Sequence, residues 1–284
     1  MSGDELASRA LQQARRLGAE ILVTRSITRI DGPSRQLHLD DGDVLRAKTI
    51  ILACGVSWRQ LSVEGFDRLV GKGVFYGAAR SEAANTHGLD VHIVGAGNAS
   101  GQAAMFFANH ARSVTILYRG TTLAKTDGGG MSRYLIEQLA ARANVHVQYR
   151  TEVVRALRST SLEAIDLQNS DTGETARLDS GGLFLFIGAD AETGWLPPEI
   201  ALDRRGYVLT GPDVGADTKW DLDRDRYLLE TSVPGIFACG DVRSRPVKRV
   251  ASAVGEGSLA IAFVHQYLRE TGATPTGPIA KTVP

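Results

Sequence analysis

Residues 91–101, VHIVGAGNASG, place Gly95 and Gly97 two positions apart where an apolar, β-branched run ends. The chain then continues as QAAMFFANHA, a stretch of helical composition. Glycines between a strand and a helix can do specific chemistry. Gly95 permits a tight turn, and Gly97 lets backbone N–H groups approach a pyrophosphate at the positive end of the helix. Asn98, Ala99 and Ser100 would form the first turn around that anion. The third position of the pattern is Ser100 in place of Gly or Ala, with Gly101 next. The competing reading needs no ligand: the glycines only pack a helix against a sheet.

The next predicted strand, SVTILYRG, says which nucleotide is expected. A site selective for NAD carries Asp or Glu at the end of this strand, on the ribose 2′-hydroxyl. Here the strand ends on Tyr118 and Arg119 with no carboxylate. A guanidinium pairs with a 2′-phosphate and gains little from a bare hydroxyl, so NADPH is favoured over NADH. Lys125 and Arg133 lie near enough in sequence to assist. The plainer reading of Arg119 is a solvated surface arginine.

Other reactive side chains are sparse. The two cysteines, Cys54 and Cys239, lie far apart, and each precedes the glycine that ends an apolar run. They form neither a disulfide framework nor a zinc pattern, and read as small buried residues. The six histidines show no i, i+4 pairing. No metal site is expected, and no general acid, base or nucleophile is assigned.

These residues need elements to hold them. A helix is expected over 4–17, then short strands in AEILVTR and SITRI, and a hairpin turn in LDDGDVL. AKTIILACG, GGLFLFIGAD and SVPGIFACGDVRS are near-continuous apolar runs that stop at glycine, as strands covered on both faces do. GGGMSRYLIEQLAARA reads as a helix with Ser132 at its N-cap. Residues 145–179 read as a strand and hairpin meander, 191–226 as loops with short strands, and GEGSLAIAFVHQYLRE as a closing helix. Alternating strands and helices predict an α/β chain with parallel sheets.

Bulk properties narrow the function. The 284 residues carry 32 basic and 32 acidic side chains, so no net field favours nucleic acid or an anionic membrane. No apolar run approaches the roughly 20 residues a membrane helix needs, and MSGDELASRA lacks a signal-peptide core. A cytoplasmic chain is expected.

Three separated motifs, TIILACG at 49–55, VHIVGAGNAS at 91–100 and GIFACGDVRS at 235–244, together carry a resemblance. The chain resembles the thioredoxin-reductase-like branch of the FAD- and NAD(P)H-dependent pyridine nucleotide oxidoreductases over nearly its whole length. The resemblance implies an α/β fold in which an FAD domain, N-terminally incomplete here, is interrupted by an inserted Rossmann-like NADPH-binding domain. Both would be three-layer β/β/α sandwiches. The expected boundaries are 1–70 and 188–270 for the FAD domain, 71–187 for the NADPH domain, and 271–284 for a flexible tail. It also implies that Asp241, after Gly240, hydrogen-bonds the ribityl chain of FAD at the strand ends that include Gly55. Lys248, Arg249, Val250 and Ala251 would face the flavin ring. The helix after them would aim its N-terminal dipole there, with Gly255 and Gly257 allowing close approach. Homodimerisation is implied in the same way.

Two departures matter. The family's Cys-x-x-Cys would fall within GVFYGAARSEAANTHG, residues 73–88, where Gly77 and Arg80 stand instead. A dithiol relay needs two thiols in contact, so electrons are expected to leave the flavin for a non-dithiol acceptor, ferredoxin-like or a small molecule. The family's opening Gly-x-Gly-x-x-Gly loop for the FAD pyrophosphate is also missing, and MSGDELASRA aligns well inside the family pattern. The chain is therefore expected to be either a form lacking its first segment or a natural short form. FAD binding would be weak or lost, with apolar surface exposed. The leading reading is an NADPH-dependent flavoprotein oxidoreductase. The alternative is a non-catalytic NADPH-binding or regulatory module that no longer holds FAD.

Overall fold

A computed structural model describes residues 3–77, 85–124, 130–158, 160–216, 218–245 and 247–272. Lys125, Arg80 and the tail from 273 onward lie outside the described residues. The chain divides into two compact units, Trp58–Ala189 and the pair of segments Met1–Ser57 with Asp190–Pro284.

The Trp58–Ala189 unit is built on a five-stranded parallel sheet. Its strand order is Val74–Tyr76, Gly182–Leu185, Asp90–Val94, Ser113–Tyr118, Val145–Tyr149. Alternation along the strands supplies both covered faces. Val91, Ile93, Val114, Ile116 and Phe184 pack under helices Asn98–Phe107 and Arg133–Ala140, with Phe107 and Leu135 from those helices. Leu117, Leu183 and Leu185 face the opposite way, against Val153, Ala156, Ile165 and Leu167. Those four belong to an antiparallel meander of strands Thr151–Arg158, Leu162–Asn169 and Thr175–Asp179. The layers are thus meander, parallel sheet and helices. The unit starts upstream of residue 71 because Leu61, Val63, Phe66 and Leu69 pack into the same apolar layer.

The other unit holds an antiparallel sheet of Ile27–Asp31, Gln36–Leu39 and Val44–Arg46, turned at Gly42 with φ +92°. Its parallel sheet, among the described residues, is the pair Ile50–Leu52 with Ile236–Ala238. Ile30, Ile200, Val208 and Val233 complete the core around that pair. Helix Gly3–Arg16 forms as expected and buries no residue. Helix Val250–Glu270 begins before GEGSLA and buries only Ala260 and Tyr267. The strand expected in AEILVTR does not form. A strand needs a hydrogen-bonded neighbour, and here Leu22 and Val23 are exposed, Val23 to 65%.

One buried group gives this fold an acid limit. His92, 3% exposed, projects from the central strand, and its Nδ1 lies 2.9 Å from Ser180 Oγ. That hydroxyl donates to Gly182 O at 3.2 Å, so it accepts from His92 Nδ1–H. Burial pushes the His92 pKa down to about 4. Unfolded, the ring takes a proton near pH 6.5, so the unfolded chain binds more protons between pH 6.5 and 4. Stability is complete above that window and is lost as pH falls through it, by about 3 kcal/mol at pH 4. The Asp90 carboxyl, held down to about 2 by Arg112, titrates below it. Urea unfolding at several pH values checks this; His92→Leu should flatten the slope between pH 6.5 and 4, and an unchanged slope would contradict it.

Candidate functional site

The glycine turn is formed as its spacing predicts. Strand Asp90–Val94 ends at Gly95, whose φ of +133° lies outside the range of side-chain-bearing residues. A Cβ there would come within 2.4 Å of Phe186 O and 2.7 Å of Ser100 Oγ. Gly97, at φ −86°, is the N-cap of helix Asn98–Phe107, and a Cβ on it would meet nothing within 4 Å. The turn is tight beneath Gly95 and open above Gly97. First-turn N–H groups have no acceptor inside their own helix, so the opening is lined by donors.

Ser100 adds to this. It is 0% exposed, and its Oγ has no hydrogen-bond partner among the described residues. A buried hydroxyl without a partner is costly unless something else satisfies it. Asn98 is already engaged: its Oδ1 accepts from Ser132 N at 2.8 Å. Ala99 is exposed on the same turn. Gly101 packs rather than binds, since a Cβ there would strike Leu135 and Met131.

The parallel register brings Arg119 to the same edge. Val94 pairs with Leu117, Gly95 N donates to Leu117 O at 3.2 Å, and Arg119 follows at once. Arg119 is exposed and has no ion pair with any described residue. Arg133 opens the second helix, 93% exposed, with Nε on Glu137 Oε1 at 2.8 Å. Ser132 is the N-cap as expected, although its hydroxyl makes no capping bond. Gly95, Gly97, Asn98, Ala99, Ser100, Arg119 and Arg133 thus share the carboxyl edge of one parallel sheet, where α/β folds bind nucleotides. They fit a pyrophosphate with a second anion beside it. An open groove on the meander of the same unit does not compete, because its charges pair internally: Arg155 with Glu64, Arg177 with Asp166.

In the other unit, Gly55 and Gly240 end the two paired parallel strands, at φ +66° and +72°. Asp241 is half-buried with no hydrogen bond or ion pair to a described residue. Arg249 is the N-cap of helix Val250–Glu270, whose first residues Val250 and Ala251 are exposed. A free carboxylate, a glycine edge and a helix N-terminus fit the ribityl and ring portions of FAD. Gly240 N, however, already donates to Glu256 Oε2 at 2.7 Å, and Arg243 Nη1 holds Glu256 Oε1 at 2.5 Å. Among the described residues of this unit no strand passes through a glycine turn directly into an α-helix, since Gly240 opens only the 3-10 turn Gly240–Val242, so a pyrophosphate cradle of the Gly95–Gly97 kind is absent from them. The sequence missed Glu256, because GEGSLA drew attention to its glycines and not to the carboxylate between them. Gly255 and Gly257 make no close approach within this chain.

The cysteines sit nearer each other than their sequence separation implies. Cys239 N donates to Leu52 O at 3.0 Å. Yet Cys239 packs with Ile51, Leu229 and Ala260, while Ile50 and Leu52 face the opposite cluster. Cys239 is buried as expected; Cys54 is exposed, because it lies beyond the last paired residue. Burial pushes the Cys239 thiol up, which disfavours the thiolate a relay would need.

The family model described as pyridine nucleotide-disulphide oxidoreductase matches residues 2–257. A "34.2 kDa protein in rubredoxin operon" of Clostridium pasteurianum is 26% identical over 269 residues, covering 94% of this chain and 80% of that protein. The bifunctional thioredoxin reductase/thioredoxin of Mycobacterium leprae is 29% identical over 274 residues; 95% of this chain matches 55% of that longer protein. Among solved structures, thioredoxin reductase from T. acidophilum superposes with a TM-score of 0.69 at 24% identity, over 95% of this chain and 82% of that one. That likeness establishes the shared fold. No described helix is long and apolar enough to cross a membrane.

Proposed function

The chain belongs to the pyridine nucleotide-disulphide oxidoreductase family, in its thioredoxin-reductase-like branch, and from that premise we propose an NADPH-dependent flavoprotein oxidoreductase that uses no dithiol of its own. The Trp58–Ala189 unit is its NADPH domain and the other unit its FAD domain. NADPH and FAD together supply hydride transfer between nicotinamide and flavin, and the chain supplies binding and orientation. Gly95 and Gly97 bring helix N–H groups to the pyrophosphate, Ser100 supports the turn, and Arg119 with Arg133 and Lys125 takes the 2′-phosphate. Gly55, Gly240 and Asp241 hold the ribityl side of FAD. Arg249, Val250 and Ala251 bring a helix N-terminus to the ring, where it favours negative charge.

The observation that carries this reading is the pairing of an open, donor-lined glycine turn with an exposed, unpaired Arg119 at the end of the adjacent strand. The absence of Cys-x-x-Cys from the sequence supports an acceptor outside the chain. Replacing Arg119 by alanine tests the nucleotide assignment. Loss of a charge-assisted contact should weaken NADPH by about ten- to a hundredfold and leave NADH within about twofold. Equal losses for the two nucleotides, read by equilibrium titration, would remove Arg119 from the 2′-phosphate.

A further inference from the structure

The bond from Ser132 N–H to Asn98 Oδ1 joins the N-termini of two helices at the same sheet edge. One of them, opened by Gly97, carries the proposed pyrophosphate site. The other begins with Arg133. Met131 and Leu135 pack against Gly101 and fix the spacing of these helices. Apolar contacts are non-directional, so they leave the rotation of the Arg133 turn to a polar contact. Ser132 does not supply it, since its hydroxyl caps nothing; Asn98 does.

The Arg133–Glu137 pair sets no competing constraint. Both side chains are largely exposed, and such pairs contribute little, so a phosphate dianion displaces Glu137 readily. The Ser132 N–H can only donate, which fixes the Asn98 oxygen towards it and leaves the carboxamide nitrogen as a donor.

We propose that Asn98 is a positioning residue for nucleotide preference: by holding Ser132 N–H it sets the first turn of helix Arg133–Ala140 so that Arg133 meets the 2′-phosphate of a nucleotide bound at Gly97. This rests on the NADPH reading of the same turn. Asn98 thereby links the part of the site that binds any dinucleotide to the part that distinguishes two of them.

The test is the ratio of NADPH to NADH affinity, measured by equilibrium titration of the full chain. Asn98→Ala should lower the ratio by about five- to tenfold, NADPH losing more than NADH. Arg133→Ala should lower it comparably, and the double variant no further, because the two residues act through one contact. Asn98→Asp keeps an acceptor for Ser132 while placing a negative charge beside the pyrophosphate. It should weaken both nucleotides and leave their ratio within about twofold. An unchanged ratio in Asn98→Ala, or equal weakening of both nucleotides by it, would overturn the proposal while the NADPH site stands. Wild-type protein that binds neither nucleotide would overturn both.

Discussion

Replacing Gly95 by alanine is expected to abolish nucleotide binding and to cost the Trp58–Ala189 unit about 3 kcal/mol or more. Two independent effects combine. A φ of +133° is a conformation that side-chain-bearing residues rarely adopt, and the added carbon would lie 2.4 Å from the backbone oxygen of Phe186. That oxygen cannot swing away, because Phe186 follows the fully buried strand Gly182–Leu185 and its own N–H donates to Val94 O. Gly97→Ala should behave differently. Its backbone is ordinary and the space beyond it is open, so stability should change by about 1 kcal/mol or less. Nucleotide affinity should nevertheless fall at least about a hundredfold, because the methyl group occupies the place the pyrophosphate needs. Urea unfolding and equilibrium titration of both variants separate these effects. A Gly97→Ala protein that binds NADPH normally would show that the open side of the turn is not the phosphate site.

Replacing Glu230 by alanine is expected to destabilise the other unit by about 3–5 kcal/mol, the cost of breaking a buried ion pair from one side. Glu230 is 0% exposed and accepts four hydrogen bonds: two from the Arg224 guanidinium at 2.7 and 3.0 Å, one from Tyr227 N at 3.2 Å, and one from Gly235 N at 2.9 Å. Arg224 also lies 4.1 Å from the Tyr227 ring centroid, so its charge remains half-buried once the carboxylate is gone. The bonds close the loop that leads into Ile236–Ala238 and hence to Asp241. Arg224→Met should cost a comparable amount, and the double variant clearly less than the sum, because both disrupt one network. Tryptophan fluorescence during urea unfolding reads this out. A loss below about 1 kcal/mol for Glu230→Ala would mean that water replaces the carboxylate without penalty.

The nucleotide turn was legible in the sequence because its constraints are local. Gly95 and Gly97 mark a strand-to-helix turn by spacing alone, and the apolar runs at 49–55, 182–187 and 235–239 contain strands Ile50–Leu52, Gly182–Leu185 and Ile236–Ala238, each ending one to three residues before its run does. The strand at 145–149 and the meander over 151–179 were legible for the same reason. What escaped depends on partners distant in sequence. AEILVTR has strand composition but no neighbour to pair with, and composition cannot supply one. Cys54 and Cys239 follow adjacent paired strands, which depends on a pairing register that no local signal encodes. Ser132 looked like a helix cap, yet the bond at that helix start comes from Asn98 in another element. Glu230 and Glu256, the two carboxylates that organise the Asp241 region, carry no local signal, because their partners come from other elements.

The proposed reaction is tested most directly by following the visible flavin spectrum anaerobically. The full chain is titrated with NADPH in the presence of excess FAD. Bleaching of the oxidised-flavin band by about one NADPH per flavin reduced, with NADH far less effective, is the predicted result. Protein that binds NADPH but leaves added flavin oxidised would contradict the oxidoreductase reading for this chain.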